Sequence, residues 1–352
     1  MPEPPPLATF IHISDLHFGT LAQDPQTGDL APEAPTCRFW AWHSWFDGLL
    51  GHHYRALGPL ANLVKSLRSS EKARVIVTGD ITSSGAGDQF DTADDFLISQ
   101  LSFPPGSIYK PVGLFEPDWR ERAVPGNHDH WPGRLRVLGR PAPGYTTPAL
   151  HVYFPALPYA KPPITLANGQ RLRFAGIDTD ADVRPWSSAR FRGRGSFASQ
   201  LDRAAALLGD PTDDEVRVLL LHHSRVWPNF TLGMEEVSRA ALDTFSADQN
   251  IRVILTGHIH IPALEIFSPG GNSPDVLEAR CGTTTVRDIF PSTWTTILGK
   301  PLERKLFPNS LLLHRVYEQE GGLWWDAEVY TRTCLGFRPL RPRARKTLRV
   351  WP

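Results

Sequence analysis

Five stretches of this chain share one design, an apolar run of strand length that stops at a residue able to hold a metal ion. Phe10-Ile11-His12-Ile13-Ser14 runs into Asp15-Leu16-His17, and Arg74-Val75-Ile76-Val77-Thr78 into Gly79-Asp80. Arg122-Ala123-Val124-Pro125 runs into Gly126-Asn127-His128-Asp129, and Val216-Arg217-Val218-Leu219-Leu220-Leu221 into His222-His223. Val253-Ile254-Leu255-Thr256 stops at Gly257-His258-Ile259-His260. Runs of this length and composition predict buried strands. Gly257 predicts a turn that brings the imidazoles of His258 and His260 toward one point.

Helical patterning fills the gaps, most clearly over residues 54–67, 199–208 and 235–245. The last places Val237, Ala240, Ala241 and Phe245 at amphipathic spacing. After His260 the pattern turns to strands over residues 275–285, 310–319 and 323–333, with Glu320-Gly321-Gly322 as a hairpin turn. Alternating strands and helices imply an α/β layered fold in a single domain spanning residues 1–352. Insertions are expected at about residues 19–53 and 286–309, and a basic extended arm at about 338–352.

Composition adds limits rather than structure. With 37 basic and 37 acidic residues and 41% hydrophobic content, the 352 residues describe an ordinary globular protein. Zero net charge removes the simple electrostatic case for a nucleic-acid partner. Met1 to Pro6 shows no basic n-region or apolar h-region. No stretch approaches the roughly 18 apolar residues of a membrane span. Cys37, Cys281 and Cys334 form no disulfide framework and no Cys-x-x-Cys. A cytoplasmic location is the expectation.

The seven candidate donors are Asp15, His17, Asp80, Asn127, His222, His258 and His260. Carboxylate, imidazole and amide oxygen together suit manganese, iron or zinc. The absence of thiolates argues against a structural zinc site. Seven donors exceed the needs of one ion and suit two if a carboxylate bridges them.

The blocks Asp-x-His, Gly-Asp, Gly-Asn-His-Asp, His and Gly-His-x-His stand here in the order found in calcineurin-like metallophosphoesterases. The chain resembles that family over roughly residues 8 to 285. The resemblance implies an α/β sandwich of two facing mixed β-sheets flanked by helices, with two divalent or trivalent metal ions. It assigns Asp15, His17, Asp80 and His260 to one ion, and Asp80, Asn127, His222 and His258 to the other. His222, rather than its neighbour His223, is the ligand because the family's ligand directly follows the strand; His223 then faces the substrate side or supports the ligands. A hydroxide shared by the two ions would attack, and His128 would protonate the leaving oxygen with Asp129 orienting its imidazole. A histidine bonded only to nearby backbone is the plain alternative for His128.

The implied function is metal-dependent hydrolysis of a small phosphate ester, a diester before a monoester. Residues 11–19 and 279–284 are similar to those of bacterial cyclic-nucleotide phosphodiesterases. A nuclease of the same superfamily and a non-catalytic metal-binding scaffold are the alternatives. A phosphoprotein phosphatase is disfavoured, because Gly79-Asp80 continues as Ile81-Thr82-Ser83-Ser84 and lacks that branch's arginine. Oligomeric state is left open. The aromatic segment at residues 36–46 has three readings: a lid, a dimer surface or a satellite core. Asp88, Asp91, Asp94 and Asp95 are expected in the first turn of a helix. His130 is expected to line the cleft or the surface, and His12, His151 and His314 to pack within strands.

Overall fold

Each of the five apolar runs is a strand with both faces covered, which is why none alternates cleanly. The computed structural model describes residues 5–19, 54–83, 85–103, 110–130, 148–184, 193–225, 233–271, 273–285 and 308–351. The aromatic segment and nearly all of both insertions lie outside these residues.

In the first sheet, β1 (Ala8–Ile13), β2 (Arg74–Thr78) and β3 (Ala123–Val124) pair in parallel, with Ile13 beside Val77 and Thr78 beside Val124. In the second, β6 (Arg171–Gly176), β7 (Glu215–Leu220), β8 (Ile251–Thr256) and β10 (Val276–Arg280) are parallel, with Leu220 beside Leu255. Antiparallel strands complete both. β11 (Ser310–Gln319), β12 (Gly322–Thr333), β13 (Gly336–Pro339) and β14 (Arg345–Trp351) extend the first sheet. β4 (Tyr159–Ala160), β5 (Ile164–Thr165) and β9 (Ala263–Phe267) extend the second. Between β11 and β12, Glu320 and Gly321 have φ of 53° and 71°, the double left-handed conformation a two-residue hairpin turn requires.

Strand alternation sorts side chains into separate cores. Ile11 and Ile13 of β1 pack with Leu57, Leu60, Val64, Phe90 and Phe96 from the helices Leu57–Glu71 and Gly87–Ile98. Phe10 points the other way, between the sheets, its ring 5.2 Å from Phe174 and 5.9 Å from Trp325. Each such aromatic pair adds about 0.5–1.5 kcal/mol beyond area burial. Beyond the second sheet, Leu219, Leu221 and Ile254 meet Leu201, Leu242 and Phe245 of the helices Leu201–Leu208 and Glu236–Asp248. The order is helix, sheet, sheet, helix, the sandwich expected from sequence. No helix among the described residues is long and apolar enough to cross a membrane.

Several expectations shift. The helix Glu236–Asp248 buries Ser238, Leu242 and Phe245 and leaves Val237 73% exposed, so its inner stripe runs one residue later than the hydrophobic spacing suggests. Of the four aspartates, only Asp88 is in the first turn of Gly87–Ile98, because that helix runs on past all of them. Asp91 accepts from Tyr153, while Asp94 pairs with Arg120 and takes the Trp119 indole. His151 lies exposed on the helix Pro148–Tyr153 rather than in a strand. The basic C-terminal segment is extended, but Arg345–Trp351 pairs with β12, where Arg343 meets Glu328 and Arg345 meets Asp326.

His12 and His314 do pack within strands, and their hydrogen bonds run in one direction. Trp325 Nε1 can only donate, so His314 Nδ1 accepts at 3.0 Å. His314 Nε2 then donates to His12 Nδ1 at 3.3 Å, and His12 Nε2 to Thr78 Oγ1 at 2.8 Å. Burial holds His314 neutral, with its pKa pushed down to about 3. Unfolded, the same group takes a proton near pH 6.5. Below that pH the unfolded state binds more protons, so stability is present at neutral pH and lost on acidification. The loss is up to about 1.4 kcal/mol per pH unit for each such histidine. Urea denaturation at pH 7 and pH 5 should therefore show a smaller acid loss in His314→Gln than in the unsubstituted chain; equal losses would contradict a buried neutral imidazole.

Candidate metal centre

All seven candidate donors emerge just past the C-terminal ends of parallel strands, where α/β sheets place their ligands. Asp15 and His17 follow β1, Asp80 follows β2, and Asn127 follows β3; His222 follows β7, and His258 and His260 follow β8. The turns are tight. Asp15, His17, Asp80, His258 and His260 have φ of 54°, 49°, 50°, 72° and 60°, a left-handed conformation that non-glycine residues rarely adopt. Each costs about 1 kcal/mol or more, and such strain collects at functional sites. A Cβ on Gly126 would fall 2.3 Å from Asp80 Oδ1, and one on Gly257 would fall 1.9 Å from Ser14 Oγ. Gly257 does not itself take a left-handed φ, so its role is close approach rather than the turn expected of it.

The donors gather in two sets that share one oxygen. His222 Nε2 lies 3.3 Å from Asp80 Oδ2, 3.2 Å from Asn127 Oδ1 and 3.2 Å from His258 Nδ1. On the other side, His17 Nε2 lies 3.5 Å from the same Asp80 Oδ2, and His260 Nε2 lies 3.3 Å from Asp15 Oδ1. Three overlapping groups among the described residues could hold a metal ion: Asp80, His222 and His258; Asp15, His17 and His260; and His17, Asp80 and His128. Of the seven candidate donors, all but Asn127 are buried.

Proton bookkeeping shows that these residues fit a cation. His222 Nδ1 donates to the Thr78 carbonyl at 2.7 Å, and His258 Nε2 donates to the Gly193 carbonyl at 3.0 Å. Carbonyls only accept, so the remaining nitrogen of each neutral ring is a bare lone pair, and these two nitrogens face one another. Asp80 and Asn127 add further lone pairs. Such a cluster repels itself unless a proton or a metal ion lies within it. Burial disfavours charge on His222, yet Asp80 outweighs it and pushes its pKa up to about 10. A metal ion bound there would displace that proton. In the other set, Asp15 Oδ1 and both His17 ring nitrogens are buried without a hydrogen-bond partner.

Asp129 behaves differently from expectation, while His128 makes a backbone contact. His128 Nδ1 lies 2.9 Å from the Ser83 carbonyl, and its ring stands edge-on to His17 at 4.6 Å. The carboxylate of Asp129 does not orient it. Instead Asp129 takes hydrogen bonds from the amides of Ile81, Thr82 and Gly126 and from the Thr82 hydroxyl. It fixes the turn that carries Asp80. Burial and the nearby Asp80 raise its pKa nonetheless. His130 is buried, not at the surface, with Nε2 2.9 Å from Asp178 Oδ1. Burial opposes its charge, but Asp178 raises its pKa to about 9. His223 Nδ1 lies 2.8 Å from Thr179 Oγ1, and its ring packs against the donors His258 and His222 at 4.1 and 5.2 Å.

The calcineurin-like phosphoesterase sequence model matches residues 8–262. The chain belongs to that family. No curated protein sequence matches it. Among solved structures it is similar to GAP50, described as the anchor in the inner membrane complex of Plasmodium, with TM-score 0.42, 10% identity, and 95% of this chain and 88% of that one covered. It is also similar to the phosphopantetheinyl hydrolase of Mycobacterium tuberculosis, with TM-score 0.38, 16% identity and coverages of 78% and 90%. Vps29 of Chaetomium thermophilum gives TM-score 0.32 at 12% identity, with 97% of both chains covered. Likenesses this distant carry no inference about what this phosphoesterase does.

One run of the same design escapes sequence reading. β6 leads through Ile177 into Asp178-Thr179-Asp180, the loop that holds His130 and His223. Arg171 and Arg173 interrupt the apolar pattern there; the ending in Asp178 was the available signal. For Asp129, the four accepted hydrogen bonds predict a specific loss. Asp129→Asn turns one acceptor oxygen toward donors as an NH₂ group and should cost about 2 kcal/mol in urea denaturation. A variant as stable as the parent would remove Asp129 from this role.

Proposed function

We propose that this phosphoesterase is a dinuclear metal-dependent phosphodiesterase acting on small phosphate esters, cyclic nucleotides among them. The observation that carries the reading is Asp80 Oδ2, which lies 3.5 Å from His17 Nε2 and 3.3 Å from His222 Nε2 and so belongs to both donor sets. Asp15, His17, Asp80 and His260 would hold one ion, and Asp80, Asn127, His222 and His258 the other. Bound there, divalent cations such as manganese, iron or zinc would supply Lewis acidity, which acidifies a water and compensates charge on the phosphoryl oxygens.

The protein's own groups do the rest. Asp80 Oδ1 accepts the His128 amide at 2.9 Å, which ties the bridging carboxylate to the turn that presents His128. Because the Ser83 carbonyl fixes the Nδ1 proton, a proton passed to the leaving oxygen departs from Nε2. Asn127 brings a neutral amide rather than a third carboxylate, which eases the approach of an anionic ester. The similarity of residues 11–19 and 279–284 to bacterial cyclic-nucleotide phosphodiesterases supports the diester preference. Balanced charge weighs against a nuclease.

Metal-stripped protein resupplied with manganese, iron, zinc or magnesium should hydrolyse bis-p-nitrophenyl phosphate faster than p-nitrophenyl phosphate. Asp80→Ala should abolish turnover and reduce bound metal. His128→Ala should lower kcat by roughly 10²- to 10⁴-fold while metal content stays unchanged. Turnover that survives Asp80→Ala would rule out the shared-carboxylate site.

A further inference from the structure

The loop that follows β1 carries two ligands of one donor set, and its backbone is under strain at both. Asp15 and His17 are left-handed, with φ of 54° and 49°, so their carbonyls cannot continue the ladder of β1. Buried carbonyls need partners all the same. Every one from Ser14 to Phe18 has a donor from one of two short segments. The Thr284 amide gives to Ser14 at 3.0 Å, Thr283 Oγ1 to Asp15 at 3.0 Å, and Thr285 Oγ1 to Leu16 at 2.5 Å. Ser83 Oγ gives to His17 at 2.7 Å, and the Ser83 amide to Phe18 at 2.9 Å.

The threonine run does more than fill vacant acceptors. Its three side chains are fully buried, and the Ser14 amide in turn donates to Thr284 Oγ1 at 3.2 Å. The Thr283 amide reaches the carbonyl of His260 at 3.4 Å. Thr283 therefore touches the backbone of Asp15 through its hydroxyl and that of His260 through its amide, joining two ligands of the same set. The run lies past residue 262, where the family match ends. It enters from β10, a strand that supplies no donor itself.

We propose that Thr283 and Thr285 are positioning residues for the set formed by Asp15, His17 and His260. Their hydroxyls hold the Asp15-Leu16-His17 backbone in place, with Asp15 and His17 left-handed, and thereby set that site's affinity for its ion. The proposal rests on the two-metal reading above. Valine has the shape of threonine without the hydroxyl, so Thr283→Val removes a hydrogen bond to the carbonyl of left-handed Asp15, and Thr285→Val removes one to the carbonyl of Leu16 between the two left-handed residues.

The test is titration of metal-free protein with manganese, followed by calorimetry and by electron paramagnetic resonance. The parent protein should show two classes of site, with Asn127→Ala weakening the class that contains His222. Thr283→Val together with Thr285→Val should weaken the other class by about tenfold or more, the size of effect typical of groups that orient a ligand. The class weakened by Asn127→Ala should keep its affinity, and the corresponding serine variants should restore the first. Thr9→Val, which removes a comparable hydroxyl that serves Glu71, should leave both classes alone. Should the double variant fail to fold, the single valine variants carry the same expectation. Two unaltered affinities with only a lower Tm would reduce the threonines to packing and overturn the proposal. Absence of manganese binding in the parent protein would instead overturn the two-metal reading, and the proposal with it.

Discussion

Two imidazole nitrogens, His222 Nε2 and His258 Nδ1, face one another at 3.2 Å with their rings' protons already committed to the carbonyls of Thr78 and Gly193. Asp80 and Asn127 close on the same point. Lone pairs arranged this way are stable only around positive charge. A proton on His222 satisfies the cluster in the metal-free protein, and a cation held by Asp80, Asn127, His222 and His258 would satisfy it in that proton's place. The site's affinity for cations thus follows from hydrogen bonds made on the far side of each ring, as is usual for ligating histidines.

Holding that arrangement is costly. Five of the seven donors are left-handed, which on the order of 1 kcal/mol or more apiece approaches the whole net stability of a typical domain. Among the described residues the sandwich offsets this with three buried cores and strands covered on both faces. Phe10 packs across to the second sheet five residues before the first left-handed residue, Asp15. Backbone clamps do the local work. Asp129 binds the turn carrying Asp80, Ser83 holds the carbonyls of His17 and Phe18, and threonines from beyond β10 hold those of Asp15 and Leu16. A bound metal ion would return part of that cost as stability of the loaded form.

The layered fold and the gathering of the seven candidate donors were legible in sequence because each candidate sits directly beside the strand that aims it. Asp15, Asp80 and His258 can be read from an apolar run and its last residue alone. The partners that tune them were not legible, because they are carbonyls of Thr78, Ser83 and Gly193, and every residue has a carbonyl. Asp129 misled for a related reason. Adjacency to His128 suggested contact with its ring, but the short helical turn from Asn127 to His130 swings the carboxylate back toward Ile81 and Thr82. The Asp178 loop was hidden by arginines that break the pattern of β6. In the helix Glu236–Asp248, local hydrophobicity chose Val237 along with Phe245 for the core, whereas packing against the second sheet kept Phe245 and took Leu242 in place of Val237.

The most direct measurement is anomalous X-ray diffraction at the manganese edge from crystals of metal-free protein soaked in manganese. Two peaks should flank the Asp80 carboxylate, one against His17 and His260 and the other against His222 and His258. No peak in the cluster, or a lone peak away from Asp80, would contradict the two-metal reading.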